Sequence, residues 1–155
     1  MEDRILLSII EPAIQKEQDS YDFYLDLHGR VDDPFAKETL IFVAGEEKKH
    51  KEFLINYRNG RYGPASLPMT QTVDYKIAEY LAKPDLEKNM LSKDVYLVAA
   101  HRELQSYNLY RDLAKIQPAG EARELLLRMA GEELGHKEKM EYLYANTAFP
   151  QTSGG

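Results

Sequence analysis

The 155-residue sequence contains no cysteine. That excludes disulfides, Cys₄ zinc or iron sites and thiolate catalysis, and leaves the redox compartment open. Basic charge is also short. Lys and Arg number 20 against 26 Asp and Glu, for a net charge of −6, which argues against nucleic acid, since phosphate binding needs a basic surface. No apolar run approaches the roughly 18 residues of a membrane span, and Met1-Glu-Asp-Arg4 with the short run Ile5 to Ile10 lacks a basic n-region and a cleavage site. The expected location is cytoplasmic, with no membrane partner. Strand-like alternation bounded by hairpin turns is missing too, so the expected fold class is all-α.

What is present is helical periodicity in four long segments. The first runs from about Arg4 or Ile10 to Arg30, with Pro12 near its start or kinking it. The second opens at Asp33-Pro34, an N-cap followed by proline at the first helical position, and stops at Asn59-Gly60. The third opens near Ser92 and stops before Gln117-Pro118, and the fourth spans about Gly120 to Asn146. Short turns make the first pair and the last pair antiparallel hairpins. Between them lies Gly60 to Leu91, with Pro64, Pro68, Pro84 and one short helical candidate, Thr72 to Ala82. This long crossover lets the second and third helices run parallel. One domain is expected over 1–149, with a frayed tail at 150–155.

The second hairpin copies the first. Glu17, Ser20, Tyr21 and Tyr24 match Glu103, Ser106, Tyr107 and Tyr110, and Glu47-x-x-His50 matches Glu133-x-x-His136, always 86 positions apart. Residues three apart share a helix face, so each Glu points with its His. The midpoints of 17 and 47 and of 103 and 133 fall at Asp32 and Pro118, in the two turns, so the paired groups return to the same height. Their one-turn neighbours are apolar or amphipathic: Ile10, Ile14 and Tyr24 around Glu17, and Leu40, Val43 and Leu54 around Glu47 and His50. The carboxylates therefore lie on a face to be buried.

Four buried carboxylates facing one another are strongly destabilising unless protonated or neutralised. Two divalent metals balance four Glu, and neutral His completes the shell. A single Glu-x-x-His is ordinarily a solvated face, and Glu46, Glu52, Glu132 and Glu138 are read that way. Two copies in register, each matched in height to a partner Glu, are not. Oxygen and imidazole donors suit iron or manganese, and zinc would also bind. His28 and His101 fall outside the repeat and are assigned to surface or packing. Tyr24 and Tyr110 are core by spacing, and could also hydrogen-bond the carboxylate of the opposite copy.

With these motifs the sequence resembles the rubrerythrin-like branch of the ferritin-like superfamily over nearly its whole length, whose di-iron and di-manganese bundles use this ligand set. The resemblance implies a ferritin-like four-helix bundle holding two metal ions, most simply iron. Glu47 and Glu133 would bridge, Glu17 and Glu103 would be terminal carboxylates, and His50 and His136 would each take one metal. It also implies a reaction with H₂O₂ or O₂, an external electron donor and a homodimer. Two departures bear on activity. Rubrerythrins proper carry a Cys₄ rubredoxin domain, for which there are no cysteines here. They also carry an extra Glu one turn after the third-helix ligand, where this chain has Ser106. A plain six-ligand site is therefore expected. Lys48 follows Glu47 where bacterioferritins have a haem-ligating Met, so no haem is expected. The alternatives are a ferroxidase or iron-handling protein, and a bundle in which metal only stabilises the structure or which assembles with partners.

Overall fold

A computed structural model describes residues 2–60 and 74–149. Five helices follow in order: α1 (Glu2–His28), α2 (Pro34–Arg58), α3 (Ile77–Tyr80), α4 (Ser92–Lys115) and α5 (Glu121–Ala148). Among the described residues there is no strand. The fold is the expected all-α, ferritin-like bundle of two antiparallel hairpins, α1–α2 and α4–α5.

Local chemistry sets the ends. At the start of α2 the Asp33 carboxylate accepts the Ala36 N–H at 3.3 Å, and Pro34 takes a first-turn position where its missing N–H costs nothing. The α4–α5 turn passes through Gly120 at φ 152°, a backbone conformation open to glycine. Pro12 does not start α1 but lies inside it. The short helix expected over Thr72 to Ala82 is narrower: α3 covers Ile77–Tyr80, between Lys76 at φ 55° and Leu81 in an extended conformation, while residues 72 and 73 lie outside the described residues.

The end of the crossover is tied to the first turn. Met90 N–H donates to the Arg30 carbonyl at 2.7 Å, Arg30 donates to the Glu87 carbonyl at 3.0 Å, and the Ser92 hydroxyl donates to Asp33 at 3.1 Å. The chain thus re-enters the bundle beside the start of α2, which makes α2 and α4 parallel.

The core is split into two apolar layers. One, at the Asp33 end, contains Leu27, Leu40, Val43, Val95, Tyr96 and Met140; the other contains Ile10, Leu54, Leu125, Leu126 and Met129. All eleven are at most 3% exposed, so the polar residues between the layers are cut off from water above and below.

Candidate metal centre

Glu17, Glu47, Glu103 and Glu133 are each no more than 1% exposed, with His50 at 4% and His136 at 9%. α1 and α4 deliver one Glu each, and α2 and α5 deliver a Glu and a His each, one turn apart. His50 Nδ1 lies 3.3 Å from Glu133 Oε1, 3.7 Å from Glu17 Oε2 and 4.0 Å from Glu47 Oε2. His136 Nδ1 lies 3.0 Å from Glu47 Oε1 and 3.6 Å from Glu103 Oε1. The two imidazole rings stack, with centroids 5.4 Å apart and planes 11° apart.

Donor atoms of these side chains form two overlapping groups, each within 4.8 Å: Glu17, Glu47, His50 and Glu133, and Glu47, Glu103, Glu133 and His136. Glu47 and Glu133 belong to both. Each of the other four belongs to one.

Tyrosines lock the two unshared carboxylates. Tyr24, from the first copy, donates to Glu103 Oε1 at 2.6 Å, and Tyr110, from the second, donates to Glu17 Oε1 at 2.7 Å. Both are fully buried members of the apolar layers as well. Burial and nearby carboxylates push both phenols well above their ordinary range, so they remain donors.

The remaining atoms test whether the site fits a cation. Glu17 Oε2, Glu47 Oε2, Glu103 Oε2, both Glu133 oxygens and His50 Nδ1 are buried with no hydrogen-bond partner. Orphaned acceptors at this density are costly, and divalent ions satisfy them. The donors fit such ions.

Without a cation, protons must do part of the neutralising. Burial raises all four carboxyls. In Glu47 and Glu133 the charges of the neighbouring carboxylates add to burial, and both stand well above the ordinary carboxylate range. In Glu17, burial is outweighed by contact with Glu47 and His50, which holds it well below that range. Glu103 is held at about 2, burial being outweighed by Glu133, His136 and the Tyr24 hydroxyl. Burial pulls the His50 imidazole down, but Glu132, Glu133 and Glu17 together lift it well above its usual value.

Three contacts around the site were not read from the sequence. Glu132 is not a solvated residue: its side chain is 19% exposed and its Oε2 lies 3.6 Å from His50 Nε2. The repeat holds the signal, because the Glu46 counterpart has Lys49 within 4.0 Å at i+3, while the position matching Lys49 is Gly135. Lys137, next to His136, is fully buried against Asp74 at 2.6 Å, Glu79 at 2.8 Å and Glu141 at 3.1 Å. Lys16 donates to Ser106 at 2.5 Å; its counterpart Arg102 is also basic and donates to Ser20 at 3.4 Å. His101 has a packing role, with Nε2 2.8 Å from the Leu81 carbonyl at the end of α3.

A four-helix bundle with a central carboxylate–histidine cluster defines the class of ferritin-like di-iron proteins. The rubrerythrin family model matches residues 8–144, and the chain belongs to the rubrerythrin family. No curated protein and no solved structure matches it. No helix among the described residues is long and apolar enough to cross a membrane.

Proposed function

We propose that the six side chains hold two iron ions and that the loaded protein reduces hydrogen peroxide or O₂ with electrons from an external donor. One observation carries this reading: the two donor groups share Glu47 and Glu133 and divide the other four ligands evenly. That is the arrangement two adjacent cations need. When bound, iron supplies the one-electron steps and Lewis acidity that side chains lack.

The chain contributes four things. Glu47 and Glu133, deprotonated, would serve both ions, while Glu17 with His50 and Glu103 with His136 would each hold one. Tyr24 and Tyr110 hold Glu103 and Glu17 in place through hydrogen bonds to one oxygen, leaving the second oxygen of each free. Glu132 sits where it can accept the His50 Nε2–H, which turns Nδ1 toward the carboxylates. The apolar layers exclude water and keep these electrostatic contacts strong.

Metal analysis of protein purified from its own host, followed by rapid mixing of the reduced form with H₂O₂ and with O₂, tests the reading. The expected result is two iron ions per chain and one round of oxidation that stops until reductant is added. Protein without metal, or with metal inert to both oxidants, overturns it. Sustained turnover of peroxide alone would replace iron with manganese.

A further inference from the structure

Lys16 stands one position before Glu17 on α1, and its side chain reaches across to α4. Its Nζ donates to Ser106 Oγ at 2.5 Å and lies 5.1 Å from the centroid of the Tyr110 ring. Ser106 is 2% exposed and spends its own proton on the Arg102 carbonyl at 3.1 Å, so its oxygen meets the ammonium as an acceptor. Tyr110 is held in turn by Glu17. The ammonium is thus fixed from two sides and only partly exposed. It pairs with no carboxylate among the described residues; Glu133, Glu17, Glu47 and Glu103 act on it through charge at a distance.

That placement has a consequence for charge. Metal ions bound by the four carboxylates would neutralise them, and the Lys16 ammonium would then lose the negative charge that faces it. A part-buried cation without a counter-ion favours an anion far more than it would in water. We propose that Lys16, held by Ser106 and the Tyr110 ring, makes a binding place for one small monoanion at the α1–α4 edge of the metal centre, for species of the size and charge of azide, superoxide or hydroperoxide.

The inference rests on the two-metal reading and gives it a substrate class. The place is one-sided. Arg102, the counterpart in the second copy, lays its guanidinium over Phe23 at 5.0 Å and contacts Ser20, which ties up its flat face in packing.

Azide is the probe. Wild type, Lys16→Met, Lys16→Arg, Ser106→Ala and Arg58→Met are loaded with iron, oxidised in air, assayed for metal per chain and titrated with azide by absorption. Removing a cation from beside carboxylates does not oppose metal uptake, so Lys16→Met should load fully. Its azide affinity should fall by about tenfold or more, as expected for losing a charge at low effective dielectric. Lys16→Arg should stay within about threefold of wild type, and Ser106→Ala, which frees the ammonium, should fall between them. Arg58→Met removes the same net charge from the exposed Glu11 pair and should leave the affinity unchanged. Equal azide affinity in wild type and Lys16→Met at equal metal content overturns the inference and leaves the metal centre standing. Wild type that takes up no pair of metals overturns both.

Discussion

Lys51 and Lys137 are equivalent residues of the two hairpins, each directly after a histidine of the site, yet their surroundings share little. Lys51 is half-buried and donates to the Gln18 amide oxygen at 2.6 Å. Lys137 is sealed, with three carboxylates around it, and Glu141 also accepts the Ala78 N–H of α3 at 2.8 Å. Asp74, Ala78 and Glu79 of the crossover cover Lys137 and Glu141, so on α5 the outward side of the helix becomes interior. Glu46 and Glu132 diverge in the same way, one near Lys49 and the other near His50. What faces the centre is identical in the two copies; what faces outward has followed its local neighbours. The two copies therefore supply equal ligands in unequal surroundings.

Equality is broken most severely if the shared carboxylates differ. Glu47→Ala and Glu133→Ala should each abolish binding of the metal pair, whereas Glu17→Ala and Glu103→Ala should each retain weakened binding. Metal per chain after dialysis checks this. A chain that tolerates one bridging change and not the other would show that the halves are not equivalent.

Inequality of the outer shells predicts the next effect. Lys137→Met leaves Glu141 buried without its charge partner and should cost about 3 kcal/mol in urea unfolding. Lys51→Met removes a partly exposed hydrogen bond and should cost about 1 kcal/mol or less.

The pH dependence of the metal-free protein separates the two kinds of carboxylate. Glu47, Glu133 and His50 hold protons more tightly folded than unfolded. Their contribution is full at acid pH and is lost as pH rises above the ordinary values of 4.5 and 6.5 through the folded ones. Glu17 and Glu103 have the opposite sign, and their contribution is lost only as pH falls below 4.5 toward the folded values. Chelated protein should therefore melt at least about 4 °C lower at pH 8 than at pH 5.5, and loading with metal should remove the difference. A chelated Tm that rises toward pH 8 would contradict this protonation pattern.

The smallest effect belongs to the outer carboxylates. Glu132→Gln should weaken metal binding by about tenfold, as expected for losing the partner of a ligating histidine, while Glu46→Gln should leave it unchanged. Competition with a chromophoric chelator measures both.

The helix ends that carry side-chain signals were legible in the sequence. Asp33-Pro34 marks the start of α2 and Asn59-Gly60 its end, whereas the first helix, read to Arg30, stops at His28 before Gly29. The start of α1 was not, because a proline is tolerated at either of two places and Pro12 turned out to lie within the helix. Convergence of Glu17, Glu47, His50, Glu103, Glu133 and His136 was legible because duplication doubles every spacing and fixes heights on separate helices. The crossing of the tyrosines, Tyr24 to Glu103 and Tyr110 to Glu17, was within reach for the same reason. Lys137 was not. Its partners Asp74 and Glu79 come from the crossover, and no spacing on α5 says where a distant segment will lie. Lys16 was half-legible: a basic residue precedes the terminal Glu in both copies, but only the packing of α1 on α4 shows that it meets Ser106.

Both hairpins are expected to close on one pair of metal ions. Anomalous diffraction at the iron edge from crystals of the loaded protein tests it most directly. Two peaks about 3.5–4 Å apart, with Glu47 and Glu133 touching both and each remaining ligand touching one, are the predicted result. A single peak, or any of the four Glu side chains turned to solvent in the loaded protein, would contradict it.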